Sequence, residues 1–261
     1  MHNSVLCTLR HEDVMIHKIT RAFSILSLGG KPVSAIWRYS VAASIEHTAV
    51  LRSLDCQTIV DVGANRGQFS LAARHNFSDA KIIAFEPLPE PAALFRKVFA
   101  NDDATVLHVA AIGPKLKQCE MHVSARDDSS SLLPISALQD EIFPGTGEVG
   151  TIDVRVAPLD AFIDEGDILA PAMLKLDVQG FELDALRGCE SLLHKFNWIY
   201  CECSFVELYS GQKLAADVIE WLSGNGFRIK GMYNPAYDHK GLAIQADFLF
   251  QRNAMDGTSC G

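Results

Sequence analysis

The sequence predicts an α/β protein with a doubly wound, mostly parallel β-sheet, and three observations favour this class. From residue 54 onward, short apolar runs alternate with segments of helical spacing, as expected when each strand is followed by a crossover helix. Several of the runs are continuously apolar, which is typical of strands covered on both faces. A loop with two glycines separates the first strand from the first helix of this region, and such a loop indicates a ligand site.

The predicted strands are short runs rich in apolar residues. In chain order they are Thr58–Val62, Lys81–Phe85, Thr105–Ala110, Met173–Asp177, Trp198–Cys203, Phe227–Met232 and Ala246–Gln251. The helical spacing of apolar residues predicts helices between them. These helices are Gln68–Arg74, Pro89–Ala100, Glu182–Phe196 and Leu214–Leu222. Two further segments alternate in polarity, which predicts two additional short strands, at Gln118–Val123 and Thr151–Val156.

Between those two additional strands lies a long segment, Arg126–Gly150, that is rich in Ser, Asp, Gly and Pro. A loop of this length inside a compact domain is usually functional. We therefore expect it either to form part of a substrate or cofactor wall or to be a mobile excursion on the surface.

The first part of the chain is predicted to be helical. Apolar residues recur at roughly helical spacing over 1–28 and 33–54, and the Gly-Gly-x-Pro sequence at 29–32 predicts a break between the two stretches. We therefore divide the chain into an N-terminal helical appendage, residues 1–54, and a main domain, residues 55–261. The sequence leaves open whether the appendage covers the substrate or makes the contact of a homo-oligomer.

The composition argues against several classes of protein. The 261 residues are 48% hydrophobic, which allows a sizeable core. The net charge of −9 argues against a general nucleic-acid-binding protein, since phosphate contacts need a basic surface. No apolar stretch reaches the roughly 18 residues of a transmembrane segment, and charged residues interrupt the N-terminus where a secretory signal would be apolar. Seven cysteines without a C-x-x-C pair predict free thiols in a reducing compartment, so we expect a cytoplasmic protein.

The loop after the first predicted strand carries the pattern D-x-G-x-x-x-G, formed by Asp61, Gly63 and Gly67. Glycine lets backbone N–H groups approach a ligand closely, because it has no Cβ. The next predicted strand ends in Glu86, about 20 residues after the loop, where an acid can hydrogen-bond both hydroxyls of a ribose. Together these features predict a nucleoside-containing cofactor, with a tight turn that binds no ligand as the alternative.

The spacing of the glycines indicates which cofactor. The dinucleotide fingerprint is G-x-G-x-x-G, whose second glycine lets the backbone approach a pyrophosphate. Asn65 stands where that glycine would fall, and its side chain obstructs a pyrophosphate. A smaller, cationic group such as the sulfonium of S-adenosylmethionine suits the position, because Asp61 adds a negative charge nearby. An NAD-dependent oxidoreductase is the alternative, although the chain has no clear Tyr-x-x-x-Lys pair.

A set of motifs, taken in order, resembles the FkbM family of S-adenosylmethionine-dependent methyltransferases over about residues 55–250. The motifs are IVDVGANRGQFS at 59–70, IIAFEPLPE at 82–90, HVAAIG at 108–113, SSSLLP at 129–134, VRVAPLDAFI at 154–163 and LKLDVQGFELDALRG at 174–188. One position departs from the family, because Gln179 stands where members commonly carry Glu. Glutamine keeps the shape and an acceptor oxygen but loses the charge, so a non-catalytic relative that only binds the cofactor is a further alternative.

The resemblance implies a Rossmann-like class I methyltransferase fold, with a seven-stranded sheet, helices on both faces and the N-terminal helical appendage. It also implies contacts to S-adenosylmethionine along the carboxyl edge of the sheet, where open α/β folds bind ligands. The residues implied are Asp61, Gly63, Asn65 and Gly67 in the loop, Glu86 at the ribose, Ala110 and Ala111 along the adenine, Ser130 and Ser131 at the border of the adenine pocket or of the substrate, and Asp177 beside the methyl donor or the accepting group.

The resemblance further implies an O-methyltransferase that acts on a hydroxyl of a small molecule or of a sugar-containing glycan or lipid. Removal of the hydroxyl proton needs a base, for which several acids near predicted strand or helix ends are catalytic candidates. They are Asp177, Glu202 and Glu207. His108 and His239 are alternative bases. No metal is assigned, although Asp177, Glu182 and Glu202 would be the ligands if a divalent cation activated the hydroxyl.

Overall fold

The computed structural model describes residues 30–253 of the chain, so the helix predicted over residues 1–28 lies outside the described part. The strands are β1 (Thr58–Val62), β2 (Lys81–Phe85), β3 (Thr105–His108), β4 (Ala111–Ile112), β5 (Lys117–Ser124), β6 (Glu148–Ala157), β7 (Ala172–Leu176), β8 (Trp198–Ser204), β9 (Phe227–Tyr237) and β10 (Ala243–Arg252). The α-helices of this part are α1 (Gly30–Tyr39), α2 (Thr48–Leu51), α3 (Gln68–Asn76), α4 (Pro89–Val98), α5 (Ala137–Ile142), α6 (Glu182–Gly188) and α7 (Ala215–Gly224).

A seven-stranded sheet forms the centre of the fold, in the order β3-β2-β1-β7-β8-β10-β9. The strands from β3 to β8 pair in parallel, whereas β10 runs antiparallel to both of its neighbours. This confirms the predicted doubly wound, mostly parallel sheet, and each predicted apolar run is one of its strands. The strand order reverses at β1, and open sheets bind ligands at such a point, outside the carboxyl ends of the strands.

Helices cover both faces of the sheet, as predicted. Along β1, Val60 and Val62 face one core and Ile59 faces the other, because alternate residues of a strand point to opposite faces. Residues of α6 and α7 complete the first core, and residues of α1, α3 and α4 complete the second. Burial on both faces explains why the central strands are apolar.

A second sheet of three strands has the order β4-β6-β5. The two segments with alternating polarity are β5 and β6, which pair antiparallel, and apolar residues of this sheet pack against Leu88. The segment 126–150 between them is more ordered than the predicted loop. It contains a 3₁₀ turn at Asp127–Ser129 and the helix α5, which begins after Ser136 because that side chain accepts a hydrogen bond from Gln139 N.

Residues 30–54 are only partly helical. α1 begins at Gly30, and Pro32 lies in its first turn, where an N–H group has no helical partner to lose. Ser40 follows this helix with φ +56°, so the helix predicted over this segment is interrupted, and a 3₁₀ turn at Ile45–His47 precedes α2. Buried residues of the segment share a core with α3 and α4. The division of the chain at residue 54 stays a prediction.

The helix predicted over Glu182–Phe196 is shorter than expected. α6 ends at Gly188, and a 3₁₀ helix at Glu190–Lys195 follows it. A Cβ on Gly188 would lie 2.6 Å from the backbone of Gly113, so the end of α6 packs directly against the chain that follows β4. Over residues 30–253, none of the helices is long and apolar enough to cross a membrane.

Gly63 lets the ends of β1 and β7 approach more closely than other residue types allow. Its φ is +79°, and an added Cβ would lie 1.9 Å from the backbone oxygen of Asp177. The first glycine of the loop is therefore required by packing against the residue that follows β7. Both strand ends consequently open onto the same space.

We expect Gly63→Ala to lower the free energy of unfolding by at least about 2 kcal/mol, since it adds left-handed backbone strain and a clash with backbone. Gly150→Ala is the matched control, because nothing lies within 4 Å of a Cβ added there. Urea unfolding of the two variants measures the difference. Equal free energies of unfolding would contradict the packing requirement at Gly63.

Candidate functional site

A cavity of about 410 Å³ opens at the carboxyl ends of the central strands. This volume lies in the range of small-molecule sites, about 300–1,000 Å³. Acidic side chains outnumber permanently cationic ones in its wall. The acids are Glu46, Glu86, Asp127, Asp128, Asp177, Glu202 and Asp247, and the cations are Arg126 and Lys175. The segment 126–150 contributes several of the lining residues, and its predicted contact with a substrate or cofactor stays a prediction.

The N–H groups of residues 63–67, between β1 and α3, all donate to acceptors within the protein. The donor–acceptor pairs are Gly63 N and Ala64 N to Phe85 O, Asn65 N to Glu86 Oε2, Arg66 N to Asn65 Oδ1, and Gly67 N to Ala64 O, at 2.7–3.0 Å. In this structure the five N–H groups are therefore already engaged, and the predicted approach of this loop to a ligand stays a prediction. A pyrophosphate needs such donors, and this loop does not offer them.

Asn65 and Gly67 both adopt left-handed backbone conformations, with φ of +46° and +92°. Asparagine tolerates this region better than most residues. Asn65 and Gly63 line the cavity as predicted, whereas Gly67 does not. A Cβ on Gly67 would lie 2.7 Å from the ring of Phe99, so this glycine is needed where α3 begins against the end of α4.

Glu86 lines the cavity just beyond the end of β2, with only 4% of its surface exposed. Its Oε1 accepts a hydrogen bond from Leu88 N at 2.7 Å, and its Oε2 accepts one from Asn65 N at 2.8 Å. Burial raises the pKa of Glu86 to about 7, although these two N–H donors oppose the rise. The donors fix the orientation of the carboxyl group, and each oxygen keeps a lone pair for a further donor such as a hydroxyl.

Asp61 does not reach the cavity. Its carboxylate is fully buried, with Oδ2 accepting from Ser70 Oγ at 2.6 Å and Oδ1 in an ion pair 3.1 Å from Lys175 Nζ. Lys175 also donates to Gly63 O at 3.0 Å. Burial alone would lower the pKa of Lys175, but the Asp61 and Asp177 carboxylates outweigh it and raise the pKa. The predicted contact of Asp61 with the cofactor is therefore replaced by an ion pair with a lysine that the sequence analysis did not single out.

Four residues were predicted to lie along the adenine or to border its pocket or the substrate, and three of them line the cavity. Ala110, Ala111 and Ser130 line the cavity. Ser131 does not line it, and its Oγ instead donates to Gln179 O at 2.6 Å. Ser131 thus holds the loop that follows β7.

Gln179 connects the two leading catalytic candidates. Its Nε2 donates to Asp177 Oδ1 at 2.7 Å and to Glu202 Oε2 at 3.0 Å. Its Oε1 accepts from Tyr209 Oη at 2.7 Å, and Gln245 Nε2 donates to the other oxygen of Glu202 at 2.6 Å. The backbone of Gln179 is strained, with φ +54°. Burial, followed by the neighbouring carboxylates, raises the pKa of Glu202 well above its ordinary value.

Three other predicted bases do not line the cavity. Glu207 is exposed and accepts a hydrogen bond from Gly211 N in a turn. His108 stacks on Phe85, and burial lowers its pKa. His239 is exposed between β9 and β10. None of the three is therefore placed to take a proton from a ligand in this cavity.

Glu182 is buried rather than exposed in the first turn of α6. Its Oε1 accepts from two backbone N–H groups of the preceding loop, at 3.0 and 3.2 Å, and burial raises its pKa to about 7. Because Glu182 faces this backbone and the Gln179 amide lies between Asp177 and Glu202, the three acids do not converge on one cation. The described residues contain no group of three or more His, Cys, Asp or Glu side chains arranged for a metal ion.

A second polar cluster, not foreseen from the sequence, is formed by His47, Tyr200, Asn234 and Asp247, and we call it the His47 cluster. Tyr200 Oη lies 2.9 Å from His47 Nδ1 and donates to Asp247 Oδ2 at 2.9 Å, and Asn234 Nδ2 donates to the same oxygen at 2.7 Å. His47, Asn234 and Asp247 line the cavity. Asp247 lies within an apolar strand, where an acid needs a partner. An acid in an apolar run is therefore the feature of the sequence that could have indicated Asp247 as a site residue.

A family model described as the methyltransferase FkbM domain matches residues 61–229, which is more than half of the chain. The chain is 29% identical over 160 residues to the 2-O-methyltransferase NoeI of Sinorhizobium fredii, covering 59% of this chain and 66% of that protein. It is 27% identical over 154 residues to the hexuronic acid methyltransferase AglP of Haloferax volcanii, covering 58% and 55%. It is 26% identical over 216 residues to the 31-O-demethyl-FK506 methyltransferase FkbM of Streptomyces tacrolimicus, covering 74% and 80%. The chain thus spans less than two thirds of the first two relatives.

We expect Gln179→Glu to destabilise the protein increasingly as the pH rises. The substitution replaces an amide that donates to Asp177 and Glu202 by a third carboxylate, and like charges this close raise the pKa of one another. An acid whose pKa is higher in the folded than in the unfolded state makes the folded protein less stable as the pH rises from the unfolded-state pKa to the folded-state pKa. The loss should therefore grow from about pH 4.3, the ordinary value of Glu, through the raised pKa.

Urea unfolding at a series of pH values measures this dependence. Gln118→Glu is the matched control, because Gln118 is exposed on β5 and should show no comparable slope. A destabilisation of Gln179→Glu that is independent of pH would contradict the electrostatic explanation.

Proposed function

The chain belongs to the FkbM methyltransferase family, and we propose on this basis that it transfers the methyl group of S-adenosylmethionine to a hydroxyl of an uncharged sugar-containing or other small-molecule acceptor. The observation that carries the proposal is an acidic cavity that is lined both by Glu86 beside β2 and by a group of acids and amides beside β7, β8 and β10. When bound, S-adenosylmethionine supplies an activated methyl group on a sulfonium cation, so the protein has mainly to align the two substrates.

The residues present fit the donor. Glu86 offers one free lone pair on each oxygen, which suits the two neighbouring hydroxyls of a ribose. Ala110, Leu88 and Met121 provide an apolar wall in the same part of the cavity, which suits an adenine. The excess of acids suits a cation, and the absence of free N–H groups in the loop 63–67 disfavours the pyrophosphate of NAD.

The strand order separates the two ends of the cavity. Glu86 follows β2. Asp177 follows β7, Glu202 lies in β8 and Asp247 lies in β10, and β1 lies between β2 and β7 in the sheet. Neighbouring strands lie about 4.8 Å apart, so four steps from β2 to β10 span about 19 Å. We call the part beside β2 the donor end and the part beside β7, β8 and β10 the acceptor end.

The acceptor end is suited to a neutral, hydroxylated molecule. Its hydrogen-bonding groups include several carboxyl groups and side-chain amides, beside the imidazole of His47 and the paired ammonium of Lys175. The carboxyl groups and amides, among them Asp177, Glu202, Gln179 and Gln245, exchange hydrogen bonds readily with hydroxyls. A carboxylate on the methyl acceptor would face like charges there. The proposal therefore departs from AglP, whose name specifies a hexuronic acid, and agrees in the oxygen acceptor with NoeI.

We expect Glu86→Gln to weaken binding of S-adenosylhomocysteine by about 10- to 100-fold, since hydrogen bonds to a charged group contribute about 1.5–3 kcal/mol. Because the pKa of Glu86 is about 7, wild-type affinity should also fall as the pH drops through about 7, when the carboxylate gains a proton. The variant should lack this dependence. Isothermal titration calorimetry at several pH values measures both effects.

Glu207→Gln is the matched control, because Glu207 lies in an exposed turn outside the cavity. It should bind S-adenosylhomocysteine like the wild type. Tight binding of NAD together with no binding of S-adenosylhomocysteine would contradict the proposed donor.

We expect neutral hexopyranosides to be methylated with kcat/KM at least about 10-fold above that of the corresponding uronides, because repulsion of about 1.4 kcal/mol between like charges suffices for this factor. Labelled S-adenosylmethionine and pairs of compounds that differ only in CH₂OH or COO⁻ test this. Preference for the uronides would contradict the assigned acceptor class, and transfer only to nitrogen or carbon would contradict O-methylation. No transfer from bound donor to any acceptor would favour a non-catalytic relative.

A further inference from the structure

The His47 cluster lies mostly outside the part of the chain that the family model matches. His47, Asn234 and Asp247 fall outside residues 61–229, and only Tyr200 falls within them. His47, Asn234 and Asp247 nevertheless form part of the cavity wall at the acceptor end. Family membership therefore does not explain the cluster, and its position is separated from the ribose-binding candidate Glu86 by several strands.

The hydrogen bonds of the cluster determine where the proton of the imidazole lies. Tyr200 has one hydroxyl proton, which it donates to Asp247 Oδ2. Burial, followed by the charge of Asp247, raises the pKa of Tyr200, so the hydroxyl keeps this proton. His47 Nδ1 lies 2.9 Å from the same hydroxyl oxygen and 3.3 Å from Asn234 Nδ2. Because the contact with Tyr200 is the shorter one, we assign the proton to Nδ1, which donates to Tyr200. A neutral imidazole with its proton on Nδ1 carries its basic lone pair on Nε2.

The ring of His47 is also held by its packing. It makes edge contacts with Phe69 and Tyr200, with ring centroids 5.3 and 5.5 Å apart. The side chain of His47 is 16% exposed and that of Asp247 is 12% exposed. The imidazole is thus fixed in one orientation while its residue still lines the cavity.

We propose that His47 is the general base of the reaction, with Nε2 taking the hydroxyl proton of the methyl acceptor and with Tyr200 and Asp247 as positioning residues. This inference rests on the proposed function. A bond forms between the acceptor oxygen and the methyl carbon, the carbon–sulfur bond breaks with its electron pair left on sulfur, and the hydroxyl proton moves to Nε2. The products are the methyl ether, S-adenosylhomocysteine and a protonated His47.

The charges around the ring favour this outcome. Asp247 lies 3.5 Å from His47 Nδ1, and Glu46 and Asp177 line the same cavity. The nearby ammonium of Lys175 is compensated by its ion pair with Asp61. Carboxyl groups therefore outnumber cations in the wall of the cavity that His47 lines.

The tautomer can be observed without any methyl acceptor. Nitrogen-15 NMR of histidine-labelled protein, at a pH where free histidine is neutral, is expected to show His47 protonated on Nδ1. The spectrum of His47→Asn identifies its signals. Tyr200→Phe removes the hydroxyl that accepts from Nδ1 and should shift the ring towards the Nε2–H form. An Nε2–H tautomer in the wild type would overturn the proposal.

Kinetics test the proton transfer itself, with the hexopyranoside that gives the wild type its highest kcat/KM. His47→Asn keeps an N–H group near the position of Nδ1 but has no base, so kcat should fall by about 10²-fold or more. Its Kd for S-adenosylhomocysteine should stay within about threefold of the wild type. Added imidazole should raise the kcat of His47→Ala by at least about 10-fold, because it replaces the missing ring.

His194→Asn is the matched control, because His194 is half exposed and pairs with Glu165 outside the cavity. It should match the wild type and show no response to imidazole. A wild-type kcat in His47→Asn, or loss of S-adenosylhomocysteine binding in His47→Ala without rescue by imidazole, would overturn the assignment. If the wild type methylates no hydroxyl at all, the proposed function fails instead, and the NMR measurement still decides the tautomer.

Discussion

The ion pair between Lys175 and Asp61 is the interaction on which the cavity depends. The two residues face each other in the register of β7 and β1, and Lys175 also holds Gly63 O and lies 3.8 Å from Asp177 Oδ2. One buried ammonium thus fixes the ends of both central strands and the start of the loop between β1 and α3. Loss of either partner would leave an uncompensated buried charge, which typically costs about 3–5 kcal/mol. The geometry of both cavity ends therefore rests on a pair of which Lys175 lines the cavity and Asp61 does not.

The acidity of the cavity is managed differently at its two ends. At the donor end, backbone N–H groups hold Glu86, so the carboxyl group is oriented without a neighbouring cation. At the acceptor end, the amides of Gln179 and Gln245 separate Glu202 from other acids while donating to it. Glutamine at position 179 is thus compatible with an active site, because the amide satisfies two carboxyl groups that a glutamate would repel.

The sequence alone predicted the sheet, because burial on both faces leaves an uninterrupted apolar signature, as in β1 and β7. It also predicted Glu86 and Gly63 as special positions, but the reason for Gly63 is its approach to the backbone of Asp177, which no local pattern reveals. The sequence predicted that Asp61 binds a ligand. Its partner Lys175 could not be foreseen, because it lies 114 residues further along the chain. The His47 cluster joins three distant segments, and its assembly depends on the pairing of Asp247 with Glu202 in β10 and β8. Such a register cannot be derived from composition or spacing.

The reversed direction of β10 has an evolutionary consequence. Asn234, Gln245 and Asp247 at the acceptor end come from the hairpin of β9 and β10 and not from another crossover unit. The two strands of this hairpin pair with shifts in register. Hairpins tolerate insertions and altered turns without disturbing the strands beyond them. A lineage with this architecture can therefore exchange one methylated molecule for another by remodelling a peripheral module, while the inherited machinery for the methyl donor stays intact on the opposite side of the sheet.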